Sequence, residues 1–140
     1  MTTHSHAVTY WDSSAVVSAL LRDDHTDHAK AESQRRGAHL LSSLSWVETL
    51  AIIGRAQRDG AVPVEQIEAA HRLLATRTWR RVNVEPRWEA VLKLAASWPL
   101  RGADLWHLGA AKRLKEDLPN LRLLTFDKRL LSAAQGEGLA

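Results

Sequence analysis

The sequence predicts an α/β fold: a three-layer α/β/α sandwich around a small, mostly parallel twisted sheet. Three observations carry that expectation. Short apolar runs at residues 7–11, 39–43, 79–84 and 121–125 alternate with longer segments of helical periodicity. Turn and capping residues fall at the junctions, and this alternation implies parallel pairing through right-handed crossovers. The third observation is size. A chain of 140 residues, 45% hydrophobic and 25% charged, suffices for one domain with a real core and excludes disorder.

The first strand ends at Asp12, and Ser13 and Ser14 offer an N-cap to an Ala/Val/Leu-rich helix that reaches about Leu21. Thr26 or Asp27 caps a second, more polar helix to about Arg36, which Gly37 stops before the next strand. From Ser45 to Arg58 apolar residues lie on nearly every side, which predicts a buried helix. Pro63 takes the first position of a helix to about Thr76, with Val64, Ile67 and Leu74 in phase. Pro86 opens another, with Trp88, Val91, Leu92 and Ala95 at helical spacing. Residues 99–102 break the chain before a helix over 103–116, and Pro119 and Asn120 turn into the last strand. Asp127 caps a final helix to about Ala134. With no repeat or linker, residues 1–140 form one domain, its ends 1–6 and 136–140 expected to fray.

The absence of cysteine excludes disulfides and thiolate-ligated metal sites. No apolar run approaches the ~20 residues of a membrane helix, and no signal sequence is visible, so a cytoplasmic protein with no membrane partner is expected. The formal charge is +3, and 14 of the 19 basic residues are Arg. That balance suits a polyanionic partner, and equally a genome rich in Arg codons. No P-loop, Gly-x-Gly-x-x-Gly or Gly-x-Ser-x-Gly motif is present, so no nucleotide cofactor or serine hydrolase is read here.

In a parallel sheet the active site lies at the carboxyl ends of the strands. Asp12 closes the first strand and Asp127 follows the last by two residues, which puts both at that edge. Glu48 lies in the most apolar helical stretch, and Asp104 opens the helix containing Leu105, Trp106 and Leu108. A carboxylate in such surroundings is costly unless hydrogen-bonded, paired or bound to metal. Four that converge repel one another unless a cation holds them ionised, and hard oxygen ligands select Mg²⁺ or Mn²⁺. Water on such an ion can be deprotonated to attack a phosphodiester. Asp12, Asp104 and Asp127 also suit plain helix capping, and Glu48 also suits a buried ion pair with an Arg. Arg101, Lys128 and Arg129 flank two of these acids and are candidate phosphate contacts. His25 and His28 have a His-x-x-His look that reads better as a solvated turn; His107, one turn from Asp104, reads better as a structural histidine than as a site residue. Trp11 and Trp106 adjoin the acids and are read as core packing before base stacking. Trp46, Trp88 and Trp98 fit core or interface positions.

Four blocks carry a family likeness: residues 10–17 around Asp12, 42–48 ending at Glu48, 100–108 around Asp104, and 124–130 around Asp127. In order and spacing across essentially the whole chain they resemble the PIN domains, in particular the VapC-type toxins of bacterial toxin–antitoxin pairs. The resemblance implies a PIN-like sandwich and a metal-dependent endoribonuclease. It implies that Asp12, Glu48 and Asp104 are core metal ligands, with Asp127 the fourth acid, and that Ser14 and Thr125 orient an acid or a water. It also implies a homodimer, a cognate antitoxin, and a structured RNA substrate such as tRNA or rRNA. Trp106 departs from the small residue often found in its block. Two rival readings stand beside this one: a non-catalytic α/β module that binds RNA or protein, its acids only capping helices, and a relative of the same fold that cuts DNA.

Overall fold

The computed structural model describes residues 7–76 and 78–140. Strands β1 (Val8–Trp11), β2 (Ala38–Ser42), β3 (Arg80–Val82) and β4 (Leu121–Leu124) form one sheet in the order β3-β2-β1-β4, every pair parallel. Seven helices flank it: α1 (Ser13–Leu20), α2 (Thr26–Ser33), α3 (Ser43–Arg58), α4 (Val64–Leu74), α5 (Trp88–Ser97), α6 (Gly102–Asp117) and α7 (Lys128–Gly136). The chain builds outward from β1 to β2 and β3, then returns to place β4 on the other side of β1. That reversal is a topological switch point, and a crevice opens there at the carboxyl ends of β1 and β4.

Side-chain alternation explains the three layers. Trp11, Leu41 and Leu124 point from the sheet into one core with residues of α1 to α4; Tyr10, Leu40, Leu121 and Leu123 point into a second core with α5, α6 and α7. Both faces of the sheet are thereby covered, as the alternating sequence pattern predicts.

The elements match the sequence reading closely, with informative departures. The second helix stops at Ser33 rather than near Arg36, and Gly37, at φ 124°, makes the turn into β2. A Cβ there would lie 2.2 Å from the carbonyl oxygen of Ala7, so only glycine fits. The third strand is three residues, not six. Helix α3 is not buried all round. Ser45, Thr49 and Ile53 form its inward stripe, while Val47 (55% exposed) and Ile52 (41%) face outward. The inward side of α5 carries Val91 and Leu94, continued by Trp98 at its C-cap, so Trp88 (87% exposed) and Leu92 (75%) look into solvent, and Val64 of α4 is likewise exposed. Two apolar stripes on one helix give periodicity no means of choosing between them.

The expected fraying at residues 1–6 lies outside the described residues, and that at 136–140 is overturned. Leu139 is buried at 1% exposure, its N–H donating to Ala134 O and its carbonyl accepting from Leu123 N, both at 2.7 Å. Glu137 accepts from Trp98 Nε1 (2.9 Å) and pairs with Lys112 (2.6 Å), and these partners hold its carboxyl below the usual range. Leu139→Ala is therefore expected to cost about 2–5 kcal/mol in urea unfolding, the scale of emptying a core leucine site. A frayed terminus would leave the midpoint unchanged.

Candidate active site

The acid of β1 is fixed by the helix it starts. Asp12 is the N-cap of α1: its Oδ1 accepts from Ala15 N (2.9 Å) and Ser14 Oγ (2.7 Å). Its Oδ2 accepts from Thr125 Oγ1 at 2.5 Å, across the switch point at the end of β4. The Ser14 hydroxyl also receives Phe126 N (3.1 Å), and Thr125 Oγ1 receives Asp127 N (3.1 Å). Two hydroxyls thus lace the ends of β1 and β4 together around one carboxylate. Asp12 is buried, and burial pushes its carboxyl above the usual range, while hydrogen bonds from Thr125, Ser14 and Ala15 and the attraction of His107 oppose the shift.

Asp127 caps α7, its Oδ1 accepting from Leu130 N at 2.9 Å. Asp104 occupies the first turn of α6, half-buried. Burial raises its carboxyl, and so do the negative charges of Asp127, Asp12 and Glu48, against which only His107 acts. Asp104 therefore stands within electrostatic range of the other three acids, and among the described residues no side-chain hydrogen bond offsets its charge. Asp104 and Asp127 line a common cleft of about 360 Å³ together with Arg101, Lys128 and Arg129. The cations sit at its rim, exposed.

Glu48 projects from the inner side of α3 and meets His107 of α6, Nε2 to Oε1 at 2.6 Å. The other ring nitrogen, Nδ1, meets the Tyr10 hydroxyl at 2.6 Å, and that hydroxyl lies 2.8 Å from Ser42 Oγ, the N-cap of α3. An ionised Glu48 only accepts, so in a neutral ring Nε2 carries the proton and Nδ1 accepts from Tyr10. A chain of hydrogen bonds through Ser42, Tyr10, His107 and Glu48 joins α3, β1 and α6. Sequence reasoning placed His107 on the structural side and did not single out Tyr10; the structure makes His107 structural and a direct partner of a candidate site residue.

All four acids lie around the crevice, but among the described residues no three Asp, Glu or His side chains are gathered tightly enough to hold an ion as they stand. Protein donors occupy three of them: Ser14, Ala15 and Thr125 on Asp12, His107 on Glu48, Leu130 on Asp127. The donor set nonetheless fits a hard divalent cation. It is all oxygen, and Asp104 carries a disfavoured charge that a cation would relieve.

Other candidates resolve blandly. Trp11 is fully buried, edge-on to Trp79 and donating to His39 Nδ1 at 3.0 Å, so it stacks on no base. Trp106 packs edge-on against His107, and Arg81 covers Trp46 at 4.8 Å. His25 and His28 gather no metal site and instead contact Phe126.

Fold and crevice together define a PIN domain: residues 9–136 match that family, and the chain belongs to it. Within the family it is of the VapC type. It is 33% identical over 137 residues to Ribonuclease VapC46 of Mycobacterium tuberculosis (strain ATCC 25618 / H37Rv), a match covering 96% of this chain and 95% of that relative. The fold is shared with PAE2754 from Pyrobaculum aerophilum (TM-score 0.62, 19% identity, 93% of this chain and 81% of that one). It is shared too with M. tuberculosis VapC20, described as a sarcin–ricin loop cleaving toxin (TM-score 0.60, 13% identity, 89% and 94%). The family resemblance and the α/β/α architecture expected from the sequence are both met.

Proposed function

We propose that this protein is a toxin endoribonuclease of a toxin–antitoxin pair, dependent on Mg²⁺ or Mn²⁺ and acting on a structured RNA of the tRNA or rRNA kind. The observation that carries the reading is that Asp127, Asp12 and Glu48 all act by charge on Asp104, which shares a cleft with Asp127, Arg101, Lys128 and Arg129. The likeness to a named ribonuclease supports it.

In this reading Asp12, Glu48 and Asp104 hold the ion and Asp127 serves as the fourth acid. A bound divalent ion supplies charge neutralisation at the scissile phosphate and acidifies water. Ser14 and Thr125 fix both oxygens of Asp12, so that one acid keeps a single orientation while the others adjust. Arg101, Lys128 and Arg129 hold the RNA backbone over the cleft. In-line attack by water leaves 3′-hydroxyl and 5′-phosphate ends. The protein acts in the cytoplasm as a homodimer under a cognate antitoxin; the solvent-facing Trp88 and Leu92 are the kind of surface that a partner covers. No helix among the described residues is long and apolar enough to cross a membrane.

The capping bonds of Asp12 and Asp127 favour the rival, non-catalytic reading, and one pair of measurements separates the two. Mn²⁺ at about a hundred times its Kd is expected to stabilise the fold by about 2.7 kcal/mol in thermal melts. In the same buffer the protein is expected to cut structured RNA and spare DNA of equal sequence, with EDTA stopping the reaction. Cleavage that persists in EDTA, or no response to the ion in either assay, would end the metallonuclease reading.

A further inference from the structure

The largest cavity described, about 660 Å³, does not belong to the acid cleft. It lies along the outer edge of β4 and falls in the ~300–1,000 Å³ range of small-ligand sites. Its mouth carries an aromatic step: the exposed His25 ring lies flat on Phe126, centroids 4.6 Å apart and planes within 4°, with His28 edge-on to the same ring at 5.1 Å. Phe126 stands between Thr125, whose hydroxyl binds Asp12, and Asp127, so this step begins one residue from the acids. Lys128 lines both the cavity and the acid cleft, making the two contiguous. The wall also includes the exposed amides of Asn120 and Gln135, and Lys115, whose ammonium donates to the carbonyls of Leu121 (3.1 Å) and Gly138 (3.4 Å).

We propose that this cavity is a nucleobase subsite, which takes an unstacked base of the RNA adjacent to the scissile phosphate onto the His25–Phe126 step. The inference rests on the ribonuclease reading for its substrate class. The chemistry is that of single-stranded RNA recognition, where splayed-out bases stack on aromatic or His rings and hydrogen-bond by their edges, while cations take the backbone. Each part is present: rings for the base face, amides for its edge, and Lys128 placed to meet the phosphate between the two pockets. An apolar peptide would not use Lys128, and a lone phosphate would not use the rings. The subsite therefore supplies selectivity for a base that a loop or bulge leaves unpaired, a feature that the acid cleft alone does not read.

The test uses a 12-nucleotide single-stranded RNA of uridines with one central 2-aminopurine, beside the same RNA with an abasic site at that position, both in EDTA. The parent is expected to quench the 2-aminopurine and to bind that RNA at least about fivefold more tightly than the abasic one, the lower end of base–aromatic stacking. His25→Ala and Phe126→Leu are expected to lose the preference, and Arg80→Ala, on the far edge strand, to retain it. His25 is exposed, so its variant should melt with the parent and report on binding alone. Equal affinity of the parent for both RNAs, or an undiminished preference in both ring variants, overturns the proposal. A parent that prefers the base but cuts no RNA in Mn²⁺ sinks the ribonuclease reading and leaves the subsite standing; one that cuts without the preference does the reverse.

Discussion

Asp104→Asn is expected to reduce RNA cleavage by about two to three orders of magnitude, the scale of removing a key electrostatic group from a catalytic centre. The same substitution is expected to raise the melting temperature in metal-free buffer. Both effects have one cause. Asp104 is half-buried, faces the negative charges of Asp127, Asp12 and Glu48, and has no side-chain hydrogen bond among the described residues to offset them. Its charge costs the fold free energy, and the amide keeps the shape while removing that cost. Asp12→Asn should inactivate without this gain, because Asp12 already accepts from Ser14, Ala15 and Thr125, and an amide nitrogen would meet a donor instead. Cleavage rates with saturating Mn²⁺ and melts in EDTA decide the matter. An Asp104→Asn protein that cuts within tenfold of the parent removes Asp104 from the centre; one that melts lower removes the electrostatic argument.

The acids were legible because each breaks a local rule. Asp12 and Asp127 sit where a strand ends and a helix begins, and Glu48 interrupts an apolar helical stretch where no capping role exists. A residue whose type disagrees with its surroundings is visible in one dimension. Packing direction is not. Helices α3 and α5 each carry two apolar stripes, and only tertiary packing, such as the approach of Pro86 and Val91 to Gly109 and the burial of Leu94, shows which side of α5 faces the core. The C-terminal tail reads as a fraying end because the last few residues of a domain usually are poorly ordered unless tied down. Gly136 is in fact small because a Cβ there would lie 2.3 Å from the Trp98 ring. Phe126 lies just past the last strand and carries no signal of its own, and its stacking on His25 depends on a turn about 100 residues earlier in the chain. Contacts between distant segments, each ordinary by itself, leave no trace in composition or periodicity.

The Tyr10–His107 bond, spanning 97 residues, is the sharpest such case, and it leads to the second large effect. His107→Ala is expected to lower kcat by about 10–100-fold, the usual cost of losing the group that orients a metal-site carboxylate, with KM little changed. The ring touches no substrate; it is 1% exposed and spends both nitrogens on protein. Without it Glu48 is free to turn away from Asp104, and Tyr10 loses one partner of its hydroxyl in a fully buried position. The Tyr10 hydroxyl keeps Ser42 Oγ at 2.8 Å, so the fold should weaken chiefly through the cavity that the fully buried ring leaves. His107→Gln separates orientation from packing, since its amide can still donate to Glu48 and should recover much of the kcat while the stability loss largely remains. Tyr10→Phe approaches from the other side: it leaves His107 Nδ1 without a donor, lowers stability, and should lower kcat by less than His107→Ala does. If the Ala variant is folded and turns over at the parental rate, Glu48 does not need holding, and its place among the ligands falls with the relay.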